Sequence, residues 1–467
     1  MATSIRTRLQ QLLSGAGHWT EIRYHNRRSR SLGVRKGEVD EMNSKHYEGV
    51  GIRVLASGSW GFASTSDLSK DGLEKALRDA EQLAQALSVR KRQKIHLAAT
   101  SQLAKGDFFV QGYDELFLMP LEEKFGFVRN AEEQLSKEAN NIEAAICRYS
   151  EVFEDKIIMT SDGADCHIKL SRPEFRLIAF GADGSKHSKG METVGATGNW
   201  DCLFRNKSIE SFISGAAEEA VAMLKAPEGE GGKKTVILSP AMVGLLSHEA
   251  IGHTVEADFV KSGSVAAKTM NDMVASSMVT LCDSGHSEYT DGAGGELPVD
   301  DEGVLCQKTT IIQEGKLVSY LHNRESAAEY GVEPTGNARA WVFSDEPLIR
   351  MRNTYIEPGD DQLEDMIGGI ENGYYIDGPG SGQADATGEF MFGASKVRQI
   401  HNGELGDYVQ ELTVSGKAFD VLRSVDAVSQ DFKWDLGAGY CGKGQPAKVD
   451  AGGPYIRCQL LVGGSQQ

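Results

Sequence analysis

No stretch of this 467-residue chain approaches the roughly 18 consecutive apolar residues of a membrane-spanning helix. The first ten residues carry neither an apolar core nor a small-residue cleavage site. These two absences predict a cytoplasmic protein with no membrane association. Paired cysteines are missing as well. The seven cysteines, at 147, 166, 202, 282, 306, 441 and 458, are odd in number, widely scattered and never arranged Cys-x-x-Cys. Neither a disulfide framework nor a cysteine-rich zinc knuckle is expected from them. Positive charge is also in deficit. A formal net charge of −18 argues against a broad nucleic-acid surface, which needs a basic face. The local runs Arg27-Arg28-Ser29-Arg30 and Arg90-Lys91-Arg92 read as solvated loops. There is no internal repeat of fixed period and no low-complexity segment. What remains is 40% hydrophobic and 25% charged, the composition of a soluble globular chain long enough for two or three cores.

Periodicity divides that chain. Ile5 to Leu13 reads as a short amphipathic helix, followed by strand-like runs at Trp19–Tyr24, Ser31–Val34 and Glu48–Ala56. Leu73, Ala76, Leu77, Ala80, Leu83, Ala84 and Leu87 recur at helical spacing. Met119 to Glu138 and Ile209 to Leu224 predict two more helices. Between them Ile142–Phe153, Lys156–Thr160 and Asp165–Phe180 read as paired strands, the last broken near Pro173. From Ala226 to Lys234 glycine, proline and charge replace the pattern, which predicts a boundary. Thr235–Ser239 then reads as a buried strand, with Pro240 suited to the first turn of a following helix. Further on, Thr309–Gln313 and Lys316–Leu321 form an expected hairpin about Glu314-Gly315, and Tyr408–Ser415 another strand. The expected fold class is α+β. A sheet-and-helix unit over 1–225 precedes a β-rich, barrel- or sandwich-like unit over 235–467 that carries a metal-site helix.

The chemistry concentrates in that helix. His248-Glu249-Ala-Ile-Gly252-His253 supplies two imidazoles and a carboxylate within six residues. Histidine is a common metal ligand, and a glutamate beside a ligand can take a proton from activated water. The pattern has one residue more than the His-Glu-x-x-His of zinc peptidases. On a regular α-helix, positions i and i+5 are about 140° apart, so both rings could not face one ion. A π-type turn, or a break at Gly252, would bring them together. Glu256 and Asp258 extend the run to His-Glu-x-x-Gly-His-x-x-Glu-x-Asp, which chance rarely supplies.

A catalytic zinc site needs a third protein ligand. Glu256, Asp258, His286, His322, His401 and Cys441 are the candidates. Cys441 lies in a glycine-rich loop where Lys443 would favour its thiolate, the ligating form. It could equally be a buried thiol, or a nucleophile activated by histidine. Gly437 to Gly444 mimics a phosphate-binding loop, but Gly444 replaces the required Ser or Thr and Pro446 follows where a helix should start. Gly378-Pro-Gly-Ser-Gly382 lacks the strand-turn-helix context of a dinucleotide fold and reads as a loop flanking a cleft.

The second half resembles the TldD/PmbA family, and in particular its TldD-type catalytic branch. The resemblance rests on His248–Asp258, Val299-Asp-Asp-Glu-Gly303, Pro347–Gly359, Gly388-Glu-Phe-Met-Phe392 and Cys441-Gly-Lys-Gly-Gln445, in that order. It implies a Zn2+-dependent metallopeptidase in which His248, His253 and Cys441 hold the metal and Glu249 is the general base. It further implies an extended or unfolded peptide as substrate, taken in a dimer cleft. The partner would be a TldE/PmbA-type subunit or a second copy of the chain. Two other readings stand beside it: a non-catalytic interaction or regulatory subunit with a structural metal, and a Cys441 thiol hydrolase. A nucleic-acid-associated regulator, suggested by the family's gyrase-modulator label, is opposed by the net charge.

Overall fold

The computed structural model describes residues 2–463, apart from the side chains of residues 2–4 and 381; the last four residues of the second expected unit lie outside it. An antiparallel sheet dominates the first half. Its long strands Trp19–Arg35, Glu38–Ala56, Ile142–Thr160 and Asp165–Asp183 lie side by side with the first strand between the second and third. The strand runs expected at 19–24 and 31–34 are therefore one element. The basic cluster between them lies within the strand rather than in a solvated loop, and Arg27 is buried with its guanidinium 3.6 Å from the centre of the Trp341 ring. Such stacking suits a weakly hydrated guanidinium. Arg90–Arg92 does follow the end of a helix, outside any helix or strand.

Pro173 leaves its strand unbroken. The strand pairs on one edge with Lys105–Phe109 through Lys169 and with Lys186–Gly195 from Glu174 onward. Proline thus falls where that edge changes partner, a position that tolerates a missing donor. Helices cover the sheet in two groups. Lys70–Ser88 buries Leu73, Ala76, Leu77, Ala80 and Ala84, with Ser69 capping its first turn through Gly72 N. Leu83 and Leu87, assigned to the same apolar face by spacing, stay exposed. Leu121–Lys137 and Ile209–Met223 close a second core with Tyr149, Phe175 and Leu177.

In the second half five strands close on themselves. Gly232–Leu238 lies between Asn372–Ala384 and Ile456–Gly463. Leu412–Lys417 joins Ile456–Gly463 to Glu389–His401, which pairs back onto Asn372–Ala384. The barrel removes free strand edges, and alternation along Ile456, Cys458, Leu460 and Val462 points apolar side chains inward. Gly378–Gly382 belongs to a barrel strand, not a loop; the register slips between Pro379 and Gly382, and Gly378 has φ +64°. Such a bulge bends a strand around a small barrel. Tyr408–Ser415 likewise divides into Glu404–Val409 and Leu412–Lys417. Beside the barrel a six-stranded sheet runs through Leu281–Ser284, Asn353–Ile356 and Asp450–Gly453, with the expected hairpin at its edge, its second strand confined to Lys316–Leu317 rather than reaching Leu321. One apolar core spans barrel, sheet and the helix after Gly232–Leu238.

The two halves are locked by buried ion pairs. Arg53 reaches Glu21 and Glu302, each at 2.6 Å, and Lys156 meets Asp301 at 3.0 Å. Val299–Gly303 thus serves as a seam between the first sheet and the rest of the chain. Among the described residues no helix is long and apolar enough to cross a membrane.

Candidate metal centre

The site starts from one barrel strand. Gly232–Leu238 ends at Ser239, whose hydroxyl accepts from Met242 N, and Pro240 occupies the first turn of the helix Pro240–Leu245. That start is cheap because the cap satisfies an otherwise unpaired N–H and proline has none to lose. From Leu246 to Gly252 the helix widens into a π turn, with the N–H of His253 bonded to the carbonyl of His248. The i→i+5 bond brings position i+5 back over position i, which the spacing of the two histidines requires. Close packing reinforces it: a Cβ on Gly252 would lie 1.9 Å from Met351 Sδ.

Cys441 arrives from 188 positions away. Its strand, Tyr440–Lys443, folds back through Gly444 (φ +71°) onto Gln445–Lys448, pairing Cys441 with Ala447. The phosphate-loop likeness of this segment is thereby resolved as a β-hairpin. Candidate ligand atoms of His248, His253 and Cys441 all lie within 4.8 Å of one another. Cys441 Sγ is 3.1 Å from His253 Nε2. His248 is buried, and neither of its ring nitrogens has a hydrogen-bond partner. Such an orphaned pair is costly unless something else satisfies it.

Electrostatics prepare the sulfur. Burial pushes the Cys441 thiol up, but the neighbouring imidazoles, His248 ahead of His253, outweigh it and bring its pKa down to about 5. For His253 burial acts downward, and its contacts with Cys441 and Glu256 prevail, raising its pKa to about 10.

The surrounding shell holds residues whose roles the motif did not disclose. Glu256, fully buried, faces His253 Nδ1 at 3.2 Å and so fixes which nitrogen looks inward. Burial alone would raise the Glu256 pKa, but His253 and Lys443 keep it below its usual value. Lys443 donates to Glu256 at 3.0 Å and to Asp258 at 2.7 Å. Its charge is thus spent on these carboxylates, and the expected direct support of the thiolate falls to the imidazoles instead. Glu256 and Asp258 are accordingly braces, not members of the three-residue group. His322 is buried against Ser326 at 3.0 Å, and His286 and His401 are exposed elsewhere. Among the described residues only His248, His253 and Cys441 form a group of metal-ligating type. Glu249 is partly exposed, its Oε2 3.8 Å from His253 Nε2. It lines a cleft of about 310 Å³ with His253, Phe259, Ser264, Asp385 and Lys443. The sequence signal for the braces was present, since Glu256 stands one helical turn beyond His253; the cleft walls had none.

Comparison with known proteins then places the chain. The C-terminal domain of the PmbA/TldA metallopeptidases matches residues 231–464, their domain 1 matches 20–84 and their central domain 114–224. The chain belongs to the PmbA/TldD family. This family member is 33% identical to a metalloprotease of Methanothermobacter thermautotrophicus, with 96% of each chain covered. It is 28% identical to a zinc metalloprotease TldD homolog of Saccharolobus solfataricus, covering 89% of this chain and 90% of that one. The crystal structure of TldE from Thermococcus kodakarensis shares the PmbA/TldD fold, with a TM-score of 0.78 over 99% of both chains at 19% identity.

Proposed function

We propose that the chain is a zinc-dependent peptidase that hydrolyses peptide bonds of extended or unfolded peptides, with Glu249 as general base. The reading is carried by the convergence of His248, His253 and Cys441 on one point beside a cleft. The donor set fits the metal: two imidazoles and a thiolate suit Zn2+ and leave a fourth position for water. Bound there, zinc would supply Lewis acidity, polarising the scissile carbonyl and acidifying water. Glu249, at the cleft wall, takes the proton of the attacking water and returns it to the leaving amine. Glu256 holds the His253 ring, and Lys443 holds Glu256. Ala384, the last residue of its barrel strand, and Gly442, within the strand that carries Cys441, border the cleft, so a substrate can align as an added strand beside them. A TldE/PmbA-type subunit, or a second copy, completes the cleft by dimerisation.

A second reading has its own observation. Cys441, His253 and Glu256 stand in line at 3.1 and 3.2 Å, the order of nucleophile, base and orienting acid in a thiol hydrolase. It leaves His248 and Glu249 without a role. Elemental analysis and peptide cleavage by wild type, His253→Ala, Cys441→Ala and Glu249→Gln, with and without a PmbA-type partner, separate the two. The peptidase reading expects about one zinc per chain, depleted by the first two changes, with activity alone lost in Glu249→Gln. Full activity after metal removal would establish the thiol hydrolase.

A further inference from the structure

Where the first sheet meets the Cys441 hairpin, buried charges do not balance. A cavity of about 20 Å³ opens there, enough for one water-sized occupant. Lys156, Arg172, Arg339 and Lys448 in its wall face only two carboxylates, Glu154 and Asp301, and all six side chains are buried. Both carboxylates are already engaged, Asp301 by Lys156 and Glu154 by Arg172. Glu174 beyond the wall takes Lys448 at 2.7 Å, yet Arg27, stacked on the lining Trp341, returns a cation. Arg23, 3.7 Å from Asp301, is offset in turn by Arg53 with its two carboxylates. Asp450, buried beside Lys448, is matched by the buried Arg350 beside Arg339, so an excess of two positive charges persists through these shells.

Hydrogen bonding shows the same deficit. The guanidinium of Arg339 meets only the main-chain carbonyls of Met351 and Lys448. The Nε of Arg172, which lines the cavity, and the Nε of Arg27 are buried without acceptors. Buried cations without counter-charge are strongly disfavoured, and a neutral water supplies an acceptor but no charge.

We infer that this cavity binds a monoatomic anion of the halide class, chloride being the natural occupant. Room for about one water-sized occupant favours a monoatomic anion over a phosphoester or a peptide carboxylate. Ala447, which lines the cavity, is the cross-strand partner of Cys441. The halide therefore ties Arg172 of the first sheet to the hairpin that carries the sulfur. Charge, unmet donors and volume carry the inference, independently of the zinc reading.

The test uses the full-length chain in sodium gluconate at fixed ionic strength, with chloride or bromide substituted stepwise. Thermal unfolding should shift upward by roughly 3 °C and saturate with halide. Crystals grown in bromide should show an anomalous peak between Arg172 and Arg339. Ala340→Val narrows the cavity without removing a charge and should abolish the saturable shift. The bromide experiment needs only the wild-type chain, so it decides the question even where that variant fails to fold. No anomalous peak at the cavity overturns the inference. A peak without a saturable shift would mark an adventitious ion only, and would overturn it too.

Discussion

Two buried polar clusters in the second half of the molecule are built to opposite rules. Arg352 Nε meets Asp283 Oδ1 at 2.7 Å, both side chains fully enclosed. Asp283 also accepts from Arg352 N, Asn337 Nδ2 and Thr354 Oγ1, so its carboxylate is saturated. His248, His253 and Cys441 share much of that depth, yet His248 keeps two unpartnered nitrogens and the group opens on a cleft. Burial therefore does not distinguish the saturated cluster from the open one. The difference is unsatisfied capacity held rigid beside accessible space.

That contrast can be broken from either side. The largest effect is expected at the open cluster: Glu249→Gln should cut peptide cleavage roughly 10³-fold while metal content and unfolding midpoint stay at wild-type values. At the closed cluster the losses reverse. Asp283→Ala strands a buried guanidinium and should cost about 3–5 kcal/mol in denaturant unfolding, with metal content retained in the folded fraction. Gly252→Ala probes the link between packing and chemistry. Its Cβ would collide with Met351 Sδ, so about 1–3 kcal/mol of stability should be lost together with metal affinity. Adding Met351→Ala should restore part of both, read by elemental analysis.

The smallest effect concerns Asp450, whose pKa burial raises to about 6 despite main-chain donors at Gly294, Ala451 and Leu436. Its folded value lies above the unfolded value near ~3.9. Its contribution to stability is therefore full below that value and lost as pH rises through about 6. Lowering the pH from 7 to 5 should recover on the order of 1 kcal/mol through this group. An Asp450→Asn variant should show a correspondingly flatter stability profile over that range.

The sequence was most legible where the signal was local. Helical spacing foretold Lys70–Ser88 and Ile209–Met223 to within a few residues. Pro240 marked the start of the following helix, and the five-residue interval between His248 and His253 called for a π-type turn or a break at Gly252; the π turn is what forms. Leu83 and Leu87 show the limit, since spacing allots a face but cannot say how wide a face the sheet will cover. Arg27 shows it more sharply. A basic run reads as solvated until a Trp341 ring, distant in sequence, lies beneath it. Lys443 was close enough to Cys441 in sequence to suggest a direct influence, but tertiary packing gave its ammonium two nearer carboxylates.

Sequence alone thus determined the two imidazoles, the carboxylate between them and the strand–cap–helix that presents them, because each depends on neighbours within a turn or two of chain. Tertiary structure decided that Cys441 becomes the third member of the group, that Glu256 and Lys443 brace it, and that a cleft opens at Glu249. Those outcomes depend on barrel closure and hairpin register, which are set by the packing of distant segments rather than by any local preference.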